Sequence, residues 1–180
     1  MHLDKQAFLA WVQVREERYE LASGRVIQVG PNTRGHGLLT AHMMSLLCGQ
    51  LDEKVWTVLM RFGVHTGPST LRSPDIVVDR AGGCGTDYAA TEPVLLAEVL
   101  SPSSASIDLG DKAAEYLRLP ALAAYIVLSQ DEPKAWVWQR LASGFPPGPD
   151  VIAGQDNSIS ISALSVNLPL SEVYRGIAPE

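Results

Sequence analysis

Three charged residues in apolar surroundings carry the chemistry this chain suggests: Asp75, Glu98 and Lys112. Pro74-Asp75 opens the short apolar run Ile76-Val77-Val78, and Glu98 interrupts a second run, Pro93-Val94-Leu95-Leu96-Ala97-Glu98-Val99-Leu100. Lys112 follows in the first part of a segment with helical spacing. Two carboxylates at neighbouring strand ends supply oxygen ligands for a hard divalent cation, and Mg²⁺ characteristically takes one or two of them beside water and phosphate oxygens. An ammonium close by can orient water and stabilise charge developing on a phosphoryl oxygen. Such a site would hydrolyse a phosphodiester. Each residue also has an ordinary alternative. Asp75 after proline is a common strand or turn starter. Glu98 is harder to dismiss, because an unpaired carboxylate in an apolar strand is penalised by desolvation, which leaves a structural salt bridge as its other reading. Lys112 stands four residues after Asp108, the spacing of a solvated helical ion pair.

The elements that must position these residues follow from spacing. Asp4 to Arg18 places Ala7, Phe8, Trp11, Val12 and Val14 at roughly helical intervals. Tyr19 to Val29 gives two extended pieces around the turn signal Ser23-Gly24. After the polar break Pro31 to Gly35, the recurrence of Leu38, Leu39, Met43, Leu46, Leu47 and Leu51 predicts a helix of about four turns. Val55 to His65 is expected to be one strand, closed by Gly67-Pro68-Ser69. Pro74 to Asp79 and Pro93 to Leu100 are expected strands, the second covered on both faces because it is apolar without alternation. A turn at Ser101 to Ser104 precedes a helix from Ile107 to Leu119, which Pro120 stops. Tyr125 to Leu128 and Ala135 to Trp138 predict two more strands, Gly144 to Gly154 a loop, and Ile159 to Ile161 a strand. Strands and helices mixed in one unit predict a sheet with helices packed against it.

Composition bounds the partners. The chain has 180 residues, a length suited to one domain, residues 1–180. Twenty acidic against fourteen basic residues give a formal net charge of -6, so any grip on a polyanion must be local. Cys48 and Cys84 match no zinc or disulfide pattern and are expected to be reduced thiols. No apolar run approaches the roughly 20 residues needed to cross a bilayer, and the first residues lack the basic-then-apolar order of a secretory signal. A soluble, cytoplasmic protein without a membrane partner is the expectation.

Taken together, Tyr19-Glu20-Leu21 with Gly24, Pro74-Asp75, Glu98-Val99-Leu100-Ser101-Pro102-Ser103, and Asp108 through Lys112 and Tyr116 resemble the Uma family, assigned to the restriction-endonuclease-like PD-(D/E)XK superfamily. The likeness covers about residues 5 to 173. It implies an α/β (α+β) fold with a restriction-endonuclease-like core, a central mixed β-sheet flanked by α-helices. It also implies a Mg²⁺-dependent endonuclease, with Mn²⁺ as a substitute, DNA as substrate, and a homodimer. Asp75 and Glu98 would be the principal metal-binding acids, Glu20 an accessory metal and catalytic carboxylate, and Lys112 the catalytic lysine. The superfamily lysine commonly stands two residues after the second acid, where this chain has Leu100, so Lys112 is expected to reach the site from the following helix. Ser23 replaces an acid frequent before the glycine of the early turn, and His36 matches a histidine frequent at the start of the second helix, a candidate for phosphate contact or proton transfer.

Two rival readings accompany the endonuclease: a non-catalytic binding or assembly protein that keeps the nuclease fold, and a hydrolase of a small phosphate-containing substrate. An exposed apolar patch formed by Trp136, Trp138 or the tail, together with an unmetallated or salt-bridged acidic pair, would favour the first. A closed pocket too narrow for a duplex would favour the second. Gly82-Gly83-Cys84-Gly85 lacks the Lys-Ser/Thr of a phosphate-binding loop. No nucleophile elbow accompanies Ser101, Ser103 and His36. Arg15, Arg18, Arg25, Arg34, Arg61, Arg72 and Arg80 are scattered in sequence and depend on the fold to converge.

Overall fold

The computed structural model describes residues 1–100 and 107–177. The turn expected at Ser101 to Ser104 lies outside them. Helix α1, Lys5–Val12, is capped by Asp4, whose carboxylate accepts the Ala7 N–H at 2.8 Å. It ends well before Arg18 because the apolar stripe stops at Val12, and Val14 is 81% exposed. Strands β1, Tyr19–Ala22, and β2, Arg25–Gln28, pair through the two-residue turn Ser23-Gly24, both with positive φ (49° and 80°), as a tight hairpin requires. Helix α2, Arg34–Gln50, starts one turn earlier than the leucine pattern predicts, because the Thr33 hydroxyl accepts the His36 N–H at 3.1 Å and caps it there.

The expected single strand from Val55 to His65 is two strands: β3, Trp56–Met60, and β4, Val64–Gly67. They belong to different sheets, and the chain breaks between them at Arg61, in the left-handed region at φ 52°. Gly63 is required at this crossing, since a Cβ there would lie 2.2 Å from the Tyr88 carbonyl oxygen. Strand β5, Thr70–Arg72, returns antiparallel to β4, and β6, Ile76–Arg80, and β7, Leu95–Val99, fall where the sequence places them. The expected helix from Ile107 to Leu119 is instead a π-helical turn, Ile107–Lys112, leading into a short α3, Ala113–Tyr116. Strands β8, Ala124–Leu128, and β9, Lys134–Gln139, follow. Then β10, Asp150–Ala153, forms inside the expected loop, because it pairs with β9 from Asp150–Val137 to Ala153–Lys134. The chain closes with β11, Ser158–Ile161, β12, Val166–Pro169, and α4, Leu170–Val173.

The central sheet runs β10-β9-β8-β7-β6-β3 and is mixed, with β7 and β8 parallel and its other neighbours antiparallel. A smaller antiparallel sheet runs β2-β1-β5-β4, and β11 pairs with β12. The fold is therefore α+β, a central mixed sheet flanked by helices. Alternation divides β7 between two cores: Leu95, Ala97 and Val99 pack with Leu39, Met43 and Leu47 of α2, while Leu96 joins Val77, Tyr125, Val127 and Trp138 on the opposite face. Trp138 is only 4% exposed and stacks on Tyr125 at 5.4 Å. Trp138 is therefore core, and Trp136 is half-buried with Lys134 over its ring, so neither tryptophan is an exposed residue. No helix among the described residues is long and apolar enough to cross a membrane.

Candidate active site

Strand register brings the acids together. Ile76 pairs with Ala97 across β6 and β7, and extending that register by one residue sets Asp75 opposite Glu98, both on the face that carries Leu96 and Val77. Asp75, 5% exposed, accepts the Val99 N–H on Oδ2 at 3.0 Å, and His36 Nε2 lies 3.0 Å from the same oxygen. Burial pushes the Asp75 carboxyl upward, but the His36 hydrogen bond and charge, the Val99 amide and Lys112 outweigh it and hold it below its ordinary value. His36 is thus turned inward onto Asp75, and it is 4% exposed.

Glu98 has the opposite balance. Its Oε1 accepts from Lys112 Nζ at 2.9 Å and from the Tyr116 hydroxyl at 3.1 Å. Burial nevertheless pushes its carboxyl up to about 8, with Lys112 opposing the shift and Asp108, Asp75 and Glu20 reinforcing it. Lys112 is buried among acids: Nζ lies 3.2 Å from Asp108 Oδ1 and 3.4 Å from Glu20 Oε1 in addition to Glu98. Burial alone would lower its pKa, and the surrounding carboxylates drive it upward instead, so the side chain stays an ammonium. The Asp108–Lys112 pair is therefore not the solvated surface pair that its spacing suggests, for Asp108 is 2% exposed. Asp108 Oδ1 is within ion-pair distance of Lys112 yet has no aligned hydrogen-bond partner among the described residues. The π-helical turn places both side chains inward, a use of π geometry common at functional sites.

Glu20 comes from β1. Its Oε2 accepts from Arg72 Nη1 at 3.2 Å and its Oε1 accepts the Ser73 N–H at 3.0 Å. Arg72 in turn donates to both oxygens of Glu115, from Nη2 at 2.7 Å and Nε at 2.8 Å, and Thr66 Oγ1 donates to the same carboxylate at 3.0 Å. Such a planar two-oxygen pairing needs a guanidinium. Glu115 is not among the sequence candidates, and Arg72 figures there only as one of seven scattered arginines whose convergence depends on the fold. The only local signal was an arginine ending the short run Thr70-Leu71-Arg72, which a single sequence cannot distinguish from a surface residue.

Glu20, Asp75, Glu98, Lys112 and Asp108 all line one cavity of about 420 Å³, together with Arg18, Arg72 and His36. Four acidic side chains face three permanent cations there, and burial together with the neighbouring acids pushes the Glu98 carboxyl upward, a strain that a divalent cation at this wall would relieve. Among the described residues no three His, Cys, Asp or Glu side chains form a group that could hold a metal ion. The two acids Asp75 and Glu98 on this cavity match the one or two carboxylates that Mg²⁺ takes beside water and phosphate oxygens, so they would fit such an ion. A larger cavity of about 680 Å³, between Leu9, Val64, Tyr88 and Pro120, contains none of the four candidate residues. Of the seven scattered arginines, Arg18 and Arg72 reach the acidic cavity, whereas Arg15 lies over Trp11 and Arg80 over Trp56.

Comparison with other proteins agrees with this architecture. An uncharacterized protein of Synechocystis, slr1290, is 23% identical over 182 residues, covering 98% of this chain and 93% of its own length. A second from the same organism, sll1609, is 29% identical over 120 residues, covering 63% of this chain and 67% of its own. The crystal structure of a protein described as a "putative nuclease belonging to DUF820" from Anabaena variabilis superposes with a TM-score of 0.79 over 98% of this chain and 99% of that one, at 14% identity, a likeness of fold. The model of the Uma2 family, described as "Putative restriction endonuclease", matches residues 6–169, and with that span the chain belongs to the Uma2 family.

Proposed function

We propose that this protein is a divalent-metal-dependent endonuclease that hydrolyses phosphodiester bonds, with DNA as substrate. The observation that carries the reading is the placement of Asp75, immediately before β6, opposite Glu98 on the adjacent β7, with the Lys112 ammonium 2.9 Å from Glu98, all lining one cavity. Asp75 and Glu98 would hold Mg²⁺, or Mn²⁺ in its place, and Glu20 would support the site by fixing Lys112 and through water. When bound, the ion supplies Lewis-acid stabilisation of the phosphoryl oxygens and eases deprotonation of the attacking water.

The chain's own residues do the rest. Lys112 stays protonated, so it acts as a donor and not as a general base: it orients water and stabilises negative charge at the pentavalent transition state. The Tyr116 hydroxyl and Lys112 meet on one oxygen of Glu98 and fix its rotamer. His36 and the Val99 amide fix Asp75 as an ionised carboxylate in the same way. Two such sites facing a duplex make a two-fold dimer sensible, which sedimentation analysis would test.

The decisive experiment compares wild type with Asp75→Ala and Glu98→Ala on labelled double-stranded DNA, single-stranded DNA and RNA, with Mg²⁺, with Mn²⁺ and with chelator. Metal-dependent cleavage that falls by about a thousandfold or more in both variants is expected, the scale of losing a main electrostatic element. A folded wild-type protein that cleaves nothing with either metal would overturn the reading. One observation favours the non-catalytic alternative: Lys112 already closes on Glu98, Glu20 and Asp108, a self-contained ion cluster. In that case chelator and metal would leave the melting temperature unchanged, whereas metal bound at Asp75 and Glu98 would raise it.

A further inference from the structure

Two arginines near the acidic cavity differ from the other cations around it. Arg72 and Lys112 are each tied to carboxylates, but neither the Arg18 nor the Arg61 guanidinium makes a hydrogen bond or ion pair among the described residues. Arg18 is half-buried and lines the cavity, and its backbone carbonyl accepts the Val29 N–H at 2.9 Å, which fixes it at the open end of the β1–β2 hairpin. Arg61 is exposed and sits in the strained left-handed region at φ 52°. That backbone is pinned to the catalytic segment: the Arg61 N–H donates to the Asp75 carbonyl at 3.2 Å, and Ser73 Oγ donates to the Arg61 carbonyl at 2.9 Å. The two side chains are close enough for their charges to interact. Burial and then repulsion from Arg61 lower the pKa of Arg18, against the attraction of Asp75, Glu20 and Glu98. A guanidinium that lines the cavity without a carboxylate partner among the described residues, with a second unpaired guanidinium whose backbone is bonded to the cavity-lining residues Asp75 and Ser73, creates a place for an anion.

Asn32 adds an independent observation. It lines the same cavity, and its Nδ2 is buried without a hydrogen-bond partner among the described residues. An unpaired buried amide donor is costly unless a ligand satisfies it. The cavity thus brings its acids together with unpaired donors, the combination a phosphodiester site needs: carboxylates for a cation at the scissile group and a grip for the flanking phosphate.

We propose that Arg18, Arg61 and the Asn32 amide form the phosphate-binding half of this site, holding a backbone phosphate of the nucleic-acid strand next to the one that Asp75 and Glu98 face. The assignment rests on the nuclease reading for its substrate but not for its anion chemistry. It is tested without turnover, by fluorescence anisotropy of a labelled oligonucleotide in Ca²⁺ over a range of salt and by calorimetry with thymidine 3′,5′-bisphosphate. Wild type is expected to bind both. Arg18→Ala should weaken oligonucleotide binding by about tenfold or more and lower the slope of log affinity against log salt by about one, the signature of one lost phosphate contact. Arg18→Lys should keep the slope while recovering only part of the affinity, and Arg61→Ala, at an exposed position that tolerates truncation, should lower the slope again. Wild-type affinity and slope in both alanine variants would overturn the proposal while leaving the nuclease reading intact. Bisphosphate binding that needs Arg18, with no oligonucleotide binding, would sustain the anion site and overturn the nucleic-acid substrate. Binding of neither probe by wild type would overturn both.

Discussion

On the face of the central sheet that α2 covers, Leu95, Ala97 and Val99 join a broad apolar core. On the other face Leu96 is followed by Glu98, and the packing partners include Tyr116, Tyr125 and Trp138. The same alternation along β7 serves both faces, so the difference lies in what is packed against each. The first is closed by α2, β12 and α4, where Leu47, Leu168, Leu170 and Val173 are all buried. The second leaves a cavity at the strand ends, where Glu20, Arg72, Glu115, Lys112, Asp108 and Glu98 are linked by ion pairs. Burying that many charges costs desolvation free energy that an apolar filling would avoid. One face is filled with apolar side chains that stabilise the fold, and the other holds charge in place at the strand ends.

Removing one member of the charged network should produce the largest change in stability. Arg72→Ala leaves Glu20 and Glu115 without their shared partner and is expected to cost about 3–5 kcal/mol in chemical denaturation, the range for breaking a buried ion pair. It should also reduce cleavage per folded molecule, because Glu20 helps to fix Lys112. The matching change on the quiet face, Leu47→Ala, deletes a fully buried side chain and should cost about 2–4 kcal/mol. Cleavage per folded molecule should remain near wild type. Equal losses of specific activity in the two variants would show that the faces are not functionally separate.

The smallest effect is expected in acid. Burial pushes the Glu115 carboxyl up, but the Arg72 hydrogen bond and charge, with Thr66 and Lys112, hold it below its ordinary value. A carboxyl with a depressed folded-state pKa binds fewer protons than the unfolded chain does. Its stabilisation is therefore present above the ordinary carboxylate range and lost as pH falls through the folded value. The melting-temperature gap between wild type and Glu115→Gln should be constant above about pH 5 and shrink below it. A gap that widened in acid would contradict the pairing with Arg72.

The strands that carry Asp75 and Glu98 were legible because their apolar runs are local and bounded by turn residues, and the β1–β2 hairpin was legible from Ser23-Gly24. The break between β3 and β4 was not, since Val55 to His65 is similarly apolar on both sides of it. What ends β3 is the left-handed turn at Arg61, bonded to Asp75 and Ser73, after which Gly63 passes close to the Tyr88 carbonyl, all contacts between segments separated in the chain. The burial of Asp108 was equally hidden, because its spacing from Lys112 suits a surface pair as well as an inward one. Arg72 could not be singled out from the other scattered arginines because its partners Glu20 and Glu115 lie 52 and 43 residues away.

By itself the sequence determined that two carboxylates would sit at strand ends with a lysine in the element that follows, because residue type and short-range periodicity specify strands and the faces of their side chains. Only the tertiary structure decided that Asp75 would be held by His36 while Glu98 would be held by Lys112 and Tyr116, and that these two acids would be shifted in opposite directions. The reason is physical. A carboxyl's charge state depends on how deeply it is buried and on which charges and donors surround it, and those neighbours come from α2, β1, the π-helical turn and α3, distant segments that only the folded chain brings together.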